Sequence, residues 1–256
     1  MIDRTRAVPE ARFSVRTDWY DDADHAWWDP DGPARLLHAM NPVRLGFYLE
    51  QLDELFGTLA GLRVLDAGCG GGLVAAGLAE AGADVIGLDA SEPSLAVAGR
   101  AVPKRFAPVA GALERVPLAG GSVDAVVAAD VLEHVGNLPR VVAELARVLA
   151  PGGLLLFDTV NRTPEAWFLG VFGSERVVGL VPRGTHDRRL FIRPAELDQL
   201  LTGAGLTPVT VTGLRPRIGP AGVLRALVTR RLDPPEFERT RGLRVSYLGA
   251  YRKAAA

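Results

Sequence analysis

The chain has little of several residue types, and each shortage excludes a class of protein. Among its 256 residues, Cys69 is the single cysteine, lysine occurs at two positions, and the net charge is −1. One cysteine forms neither an intrachain disulfide nor a thiolate metal cluster. The near-neutral charge argues against a dedicated nucleic-acid binder. With no apolar run of about 18 residues and no signal-peptide core, the sequence predicts a cytoplasmic protein.

From residue 62 onward, short apolar runs alternate with helical patterns. The predicted strands are 62–66, 84–89, 107–113, 123–130, 154–160, 207–214 and 243–253, and the predicted helices between them include 73–82, 92–102, 138–150 and 193–205. This alternation is typical of a doubly wound α/β fold. We therefore predict a seven-stranded, mostly parallel, Rossmann-like sheet whose last strand is antiparallel.

Three segments depart from this pattern. Residues 1–55 read as an N-terminal arm followed by helices over the ligand site, with Asn41-Pro42 capping and starting a helix, and 56–256 as the main domain. Residues 166–184 form an apolar, glycine-punctuated insertion too short to cross a membrane. Residues 215–241 read as loop.

The stretch VLDAGCGGG, from Val64 to Gly72, follows the first predicted strand. In an open parallel sheet, ligands bind at this edge, and bare glycine backbone lets N–H groups approach a ligand closely. Asp89 ends the second predicted strand, where a carboxylate can accept hydrogen bonds from ribose hydroxyls.

The pattern fits both NAD and S-adenosylmethionine, and the spacing favours the second. A dinucleotide fingerprint starting at Gly68 needs glycine at position 73, which is Leu73. Asp66 would repel a pyrophosphate but attract a sulfonium or an α-amino group. An NAD enzyme and a glycine turn without a ligand remain as alternatives.

Longer motifs around this turn resemble a known family. The segments WWDPDGPARLLHAMNPVRLGF, GLDAS, VLEHV, LAPGGLLLFDTVNRTPEAWFLG and VPRGTHDRRLFIRPAEL occur in this order. They are similar to class I S-adenosylmethionine-dependent methyltransferases, and specifically to the ubiquinone-biosynthesis O-methyltransferases. The resemblance runs from about residue 19 to 214 and returns weakly at 243–253, whereas 215–241 departs from it.

The resemblance implies a set of cofactor contacts. Arg44 would reach the methionine carboxylate, since a guanidinium fork pairs with a carboxylate, and Asp89 would hold the ribose. The remaining expected contacts are Asp66, Gly68, Gly70, Ala112, Leu113 and Ala129.

DVLEHV, after the fourth predicted strand, is the candidate catalytic segment. On a helical turn, Asp130, Glu133 and His134 would share one face. They would suit a divalent cation such as Mg²⁺, which the resembling enzymes are described as using; without a metal, His134 would be the base. Alternatively, Asp130 caps a helix and His134 simply packs. Asp130 also stands where many family members have glutamate.

The resemblance further implies a phenolic or quinol acceptor. Asn161, Arg162, Trp167 and His186 are candidates to line its pocket, and Trp27, Trp28 and Trp167 are candidates for apolar walls. The insertion 166–184 is a candidate for contact with the inner face of a membrane, a lid over the site or a dimer contact. A secondary-metabolite acceptor and a non-catalytic binding protein remain as rival functions.

Overall fold

The computed structural model describes residues 27–102, 104–168, 188–219 and 234–255. The strands in these ranges are β1 (Arg63–Ala67), β2 (Asp84–Asp89), β3 (Phe106–Ala110), β4 (Val123–Ala129), β5 (Leu149–Val160), β6 (Leu206–Arg217), β7 (Glu236–Thr240) and β8 (Ser246–Lys253). The helices are α1 (Arg35–Phe56), α2 (Leu73–Glu80), α3 (Glu92–Ala101), α4 (Leu138–Val148), α5 (Pro164–Ala166) and α6 (Pro194–Gly203).

One sheet runs in the order β3-β2-β1-β4-β5-β8-β6-β7. Strands β1 to β5 pair in parallel. Strand β8 lies antiparallel between β5 and β6, and β7 is antiparallel to β6. The strand order reverses at β1, so the crevice for a ligand lies at the carboxyl ends of β1 and β4. The predicted fold class and the antiparallel final strand are confirmed.

The predicted strand count was one too low. Strand β7 lies within 215–241, which read as loop, and β6 extends to Arg217 to pair with it. Its sequence, EFERT, carries charges that weaken a strand pattern. Those charges pair across strands, as Arg215 does with Glu238 at 2.7 Å, which favours an exposed edge strand.

The α1 helix begins at Arg35, earlier than predicted, and contains Pro42 in its interior. Asn41 does not cap it: its amide Nδ2 donates to the Leu73 carbonyl at 3.1 Å. The same side chain accepts a hydrogen bond from Arg44 Nε, also at 3.1 Å. Asn41 therefore connects α1 to the start of α2, and the Asn-Pro pair does not mark the start of a helix.

The core lies on both faces of the sheet, because successive side chains of a strand point to opposite faces. Val64 belongs to a cluster that includes residues of α1 and α2, and Leu65 to one that includes residues of α4 and α6. Since α1 shares a cluster with the sheet, it is packed against the main fold; the division at residue 55 stays a prediction. Among the described helices, none is both long and apolar enough to span a membrane.

Candidate functional site

The glycine turn after β1 is shaped by its neighbours. Gly68 has φ 78° and its N–H donates to the Leu88 carbonyl at 2.7 Å. A Cβ at Gly68 would overlap the Val131 side chain, and one at Gly70 would overlap the Trp27 ring. Glycine is therefore required both by backbone conformation and by close packing.

Asp89 joins this turn to the end of β2. One carboxylate oxygen accepts from Gly70 N–H at 2.8 Å and the other from Ser91 N–H at 2.9 Å. Each oxygen can accept a further hydrogen bond. Asp89 thus holds the turn while keeping acceptors for a ligand hydroxyl.

Arg44 and Asp66 are a buried pair of opposite charges beside the turn. Both are almost fully inaccessible, yet Arg44 Nη1 and one oxygen of Asp66 have no hydrogen-bond partner among the described residues. Burial, together with the Asp89 charge, raises the pKa of the Asp66 carboxyl to about 7, although Arg44 and the Ala75 N–H act to lower it. Buried polar groups rarely lack a hydrogen-bond partner, so this pair is suited to bind a polar ligand.

These groups open into one cavity of about 330 Å³. Its lining comprises Trp27, Leu37, Arg44, Asp66, Gly68, Cys69, Gly70, Leu73, Val74, Asp89, Ala90, Ser91, Ser94, Ala129, Asp130, Val131 and His134. The structure thus brings six predicted cofactor contacts together with two predicted catalytic residues. Ala112 and Leu113 are not in this lining: Ala112 is exposed and Leu113 packs in the core.

Several lining residues were missed from the sequence. Ser91 and Ser94 follow Asp89 at the start of α3, where Ser91 accepts a hydrogen bond from the Ser94 N–H at 3.3 Å. The helix-start pattern of serine before Glu92-Pro93 signals this cap. Trp27, predicted for a quinone pocket, instead packs on the glycine turn.

A second buried carboxylate, also missed, lies beside the cavity. Tyr48 OH donates to Asp158 at 2.5 Å, and both side chains are buried. Asp158 also accepts from the Asp130 N–H; burial raises the pKa of its carboxyl to about 6, opposed by Arg44. An aspartate inside the apolar run LLLFDTV was the available signal. Asp158 therefore fastens α1 and the loop after β4 to β5.

Comparison with known proteins decides the family. A methyltransferase domain family matches residues 65–157. The ubiquinone biosynthesis O-methyltransferase of Idiomarina loihiensis is 41% identical over 195 residues, covering 73% of this chain and 77% of that enzyme. The enzyme of the same name from Methylococcus capsulatus is 36% identical over 241 residues, 91% of this chain and 92% of that one.

This chain belongs to the ubiquinone biosynthesis O-methyltransferase family. It is an S-adenosylmethionine-dependent O-methyltransferase. The magnesium protoporphyrin IX methyltransferase of Synechocystis, solved with bound S-adenosylhomocysteine, shares the fold with a TM-score of 0.59 and 22% identity, over 87% of this chain and 86% of that one.

The magnesium ligands predicted from the family resemblance do not form a metal site among the described residues. Asp130 has φ 52°, and the following residues Leu132–His134 form a 3₁₀ turn rather than an α-turn. Successive residues of such a turn are about 120° apart, so Glu133 and His134 do not share a face. In the part of the chain that the structure describes, no group of three acidic, cysteine or histidine side chains could hold a metal ion.

The Glu133 side chain is hydrogen-bonded to β5. Its carboxylate is buried and accepts from Thr159 OH at 2.9 Å and from Val160 N–H at 3.1 Å. Burial, and then the Asp130 charge, raise the pKa of this carboxyl well above its ordinary value. Both oxygens bond to β5, so Glu133 anchors the loop in this structure, and its catalytic and metal-ligating roles stay predictions. Asp130 and His134 remain on the cavity wall.

The predicted acceptor residues have other contacts. Asn161 donates to the Leu243 carbonyl at 2.5 Å, and Arg162 donates to the Phe191 carbonyl at 2.7 Å and to Glu196 at 3.0 Å. Trp167 is 37% exposed. None of these three lines the described cavity, while His186 and residues 169–184 of the insertion lie outside the described residues.

Proposed function

We propose that this enzyme transfers the methyl group of S-adenosylmethionine to a phenolic oxygen of a polyprenylated phenol or catechol. The observation that carries the proposal is the buried, unsatisfied pair Arg44 and Asp66 in the same cavity as Asp89. A free α-amino acid bears a carboxylate and an ammonium group, which match a guanidinium and a carboxylate. A dinucleotide offers no such pair.

In the proposed pose, the methionine carboxylate binds Arg44 and the ammonium binds Asp66. The ribose hydroxyls donate to Asp89, and Gly68 and Ala129 contact the cofactor through backbone. The sulfonium methyl is then directed toward the cavity wall that carries Asp130 and His134. This placement leaves the acceptor to approach from the carboxyl end of β4.

The reaction is a direct displacement at carbon. A lone pair of the phenolate oxygen attacks the methyl carbon, and the carbon–sulfur bond breaks with its electron pair staying on sulfur. A phenol of pKa about 10 has to lose its proton for this attack. His134 is the proposed acceptor of that proton, since a positioned imidazole serves near neutral pH.

The polyprenyl acceptor is inferred from the names of the relatives, which place them in ubiquinone biosynthesis. A lipid-dissolved acceptor would be reached from the inner face of a membrane. Phe168, at the start of the insertion, is 56% exposed, which is compatible with apolar residues that meet a bilayer surface. We propose peripheral membrane contact through 166–184 on this basis.

The test is product formation from cofactor labelled on its methyl carbon. A polyprenylated catechol, a short-chain catechol and an aromatic amine are offered in parallel, with wild type and His134→Gln. We expect product from the catechols, more from the polyprenylated one in the presence of vesicles, and a loss of about 100-fold or more in the variant.

The control is binding of S-adenosylhomocysteine by both proteins. Unchanged affinity together with lost turnover assigns His134 to the chemistry. Methylation of the amine alone, or of neither catechol, would contradict the proposed acceptor while leaving the cofactor site intact.

A further inference from the structure

Trp27 lies against the barest part of the glycine turn. Its ring occupies the space that side chains at Gly70 and Gly71 would fill, and it is 7% exposed. The indole N–H donates to the Ser94 hydroxyl at 3.2 Å. The ring therefore bridges the turn after β1 and the start of α3, along one wall of the cavity.

This position is held by several contacts on the same segment. The Trp27 carbonyl is hydrogen-bonded to the His38 ring at 2.8 Å, and the Trp28 indole donates to the Gly71 carbonyl at 2.9 Å. The ring also packs in a small apolar cluster with Ala34, Leu73 and Val97. Trp27 is thus placed before any ligand arrives, which lowers the entropic cost of using it.

The two ends of the cavity differ in chemistry. Arg44 and Asp66 supply opposite charges for an amino acid, whereas Asp89, Ser91 and Ser94 surround the wall where Trp27 lies. Asp89 bonds Gly70 N–H, and the Trp27 ring packs on that same residue. A ligand whose ribose bonds Asp89 therefore brings its nucleoside against the indole.

We propose that Trp27 is a cofactor-binding residue that packs on the nucleoside part of S-adenosylmethionine and closes that end of the cavity to water. Indole rings bind nucleobases and sugars by stacking and by apolar contact. Exclusion of water also strengthens the hydrogen bonds to Asp89. The inference rests on the cofactor pose of the proposed function and adds to it a residue from the segment before α1.

The test compares two ligands that share a nucleoside. S-adenosylhomocysteine carries the amino acid, whereas methylthioadenosine lacks it. We expect Trp27→Ala to weaken the binding of both ligands by the same factor, about tenfold or more. Arg44→Met should weaken S-adenosylhomocysteine alone. Calorimetry on the full chain measures the affinity of each ligand for wild type, Trp27→Ala and Arg44→Met.

Trp167→Phe is the matched control, because Trp167 is 37% exposed and does not line the cavity. We expect its affinities to stay within about threefold of wild type. Tryptophan emission gives a second measurement that does not need the alanine variant to fold. Binding of S-adenosylhomocysteine should change the emission of wild type and Trp167→Phe, and Trp27→Phe should lose most of that change.

Three results would overturn the inference. They are unchanged affinity for both ligands in Trp27→Ala, weakened binding of S-adenosylhomocysteine alone in that variant, and an undiminished emission change in Trp27→Phe. Failure of the wild-type protein to bind S-adenosylhomocysteine would instead reject the cofactor site itself, so the two failures are distinguishable.

Discussion

At the scale of single residues, the site depends on charges kept out of water. Asp66 sits at the end of β1, and its environment combines burial, the repelling Asp89 charge and the attracting Arg44 charge. Its carboxyl is therefore half-protonated near neutral pH in the ligand-free protein. A cofactor ammonium in contact with it would favour the ionised form.

Binding of S-adenosylhomocysteine should consequently depend on pH. With the pKa of Asp66 raised to about 7 in the free protein and lowered in the complex, binding below pH 7 must expel a proton. Affinity should rise roughly tenfold from pH 6 to pH 8 and then level off, following linkage. Calorimetry across this range measures it.

Asp66→Asn provides the comparison, since it keeps the shape and removes the titrating group. Its affinity should be lower than that of wild type at pH 8 and nearly independent of pH. A wild-type affinity that is flat between pH 6 and pH 8 would contradict contact between Asp66 and the ammonium.

At the scale of elements, the loop after β4 is held from behind by β5. Two carboxylates form the connection: Asp158 accepts from the Asp130 N–H, and Glu133 accepts from Thr159 and Val160. The first of these bonds satisfies the N–H of Asp130, whose backbone is left-handed. The positions of Asp130 and His134 on the cavity wall therefore depend on two carboxylates that do not line the cavity.

Glu133→Ala should destabilise the fold. It leaves a buried hydroxyl and a buried N–H without an acceptor, which costs about 1–3 kcal/mol. A chain of this size loses roughly 2–4 °C of melting temperature per kcal/mol. Glu133→Gln retains an acceptor and should lie closer to wild type, as calorimetric melting would show.

Glu165→Ala is the matched control, because Glu165 pairs with Arg244 at the surface and such pairs contribute little. If Glu133 were a metal ligand instead, Mg²⁺ would raise the melting temperature of wild type but not of Glu133→Ala. That result would show that Glu133 is a ligand of Mg²⁺.

The same elements show what sequence can and cannot predict. The turn at Gly68 and Gly70 was predictable because its conformation is local and its position at a strand end is general. The orientation of Glu133 was not, since it depends on whether the next turn is α or 3₁₀ and on hydrogen-bond donors 26 and 27 residues away. Strand β7 was missed because its partner, the extension of β6, decides its structure. Tyr48 and Asp158 meet across 110 residues, which no local pattern encodes.

At the scale of the whole molecule, the cavity is assembled on one half of the sheet. Every residue of its lining lies between Trp27 and His134. Strands β6, β7 and β8 extend the sheet beyond β5 on the other side. Arg239 of β7 also pairs with Glu50 of α1 at 2.6 Å, so the far edge supports the helix that supplies Arg44.

A ligand that contacts both α1 and the turn after β1 should stabilise the folded chain as a unit. At about one hundred times its dissociation constant, S-adenosylhomocysteine contributes about 2.7 kcal/mol. The expected rise in melting temperature is roughly 5–11 °C. NADH at the same concentration should change it by less than about 1 °C, because it has no ammonium group for Asp66, which repels its pyrophosphate. An equal rise with NADH would contradict the cofactor assignment. Thermal unfolding with each ligand measures the difference.

The confinement of the cavity lining to the stretch before residue 135 has an evolutionary consequence. Mutation of the later segments replaces no residue of the cavity lining, so new acceptors can be recruited while the side chains that face the methyl donor are kept.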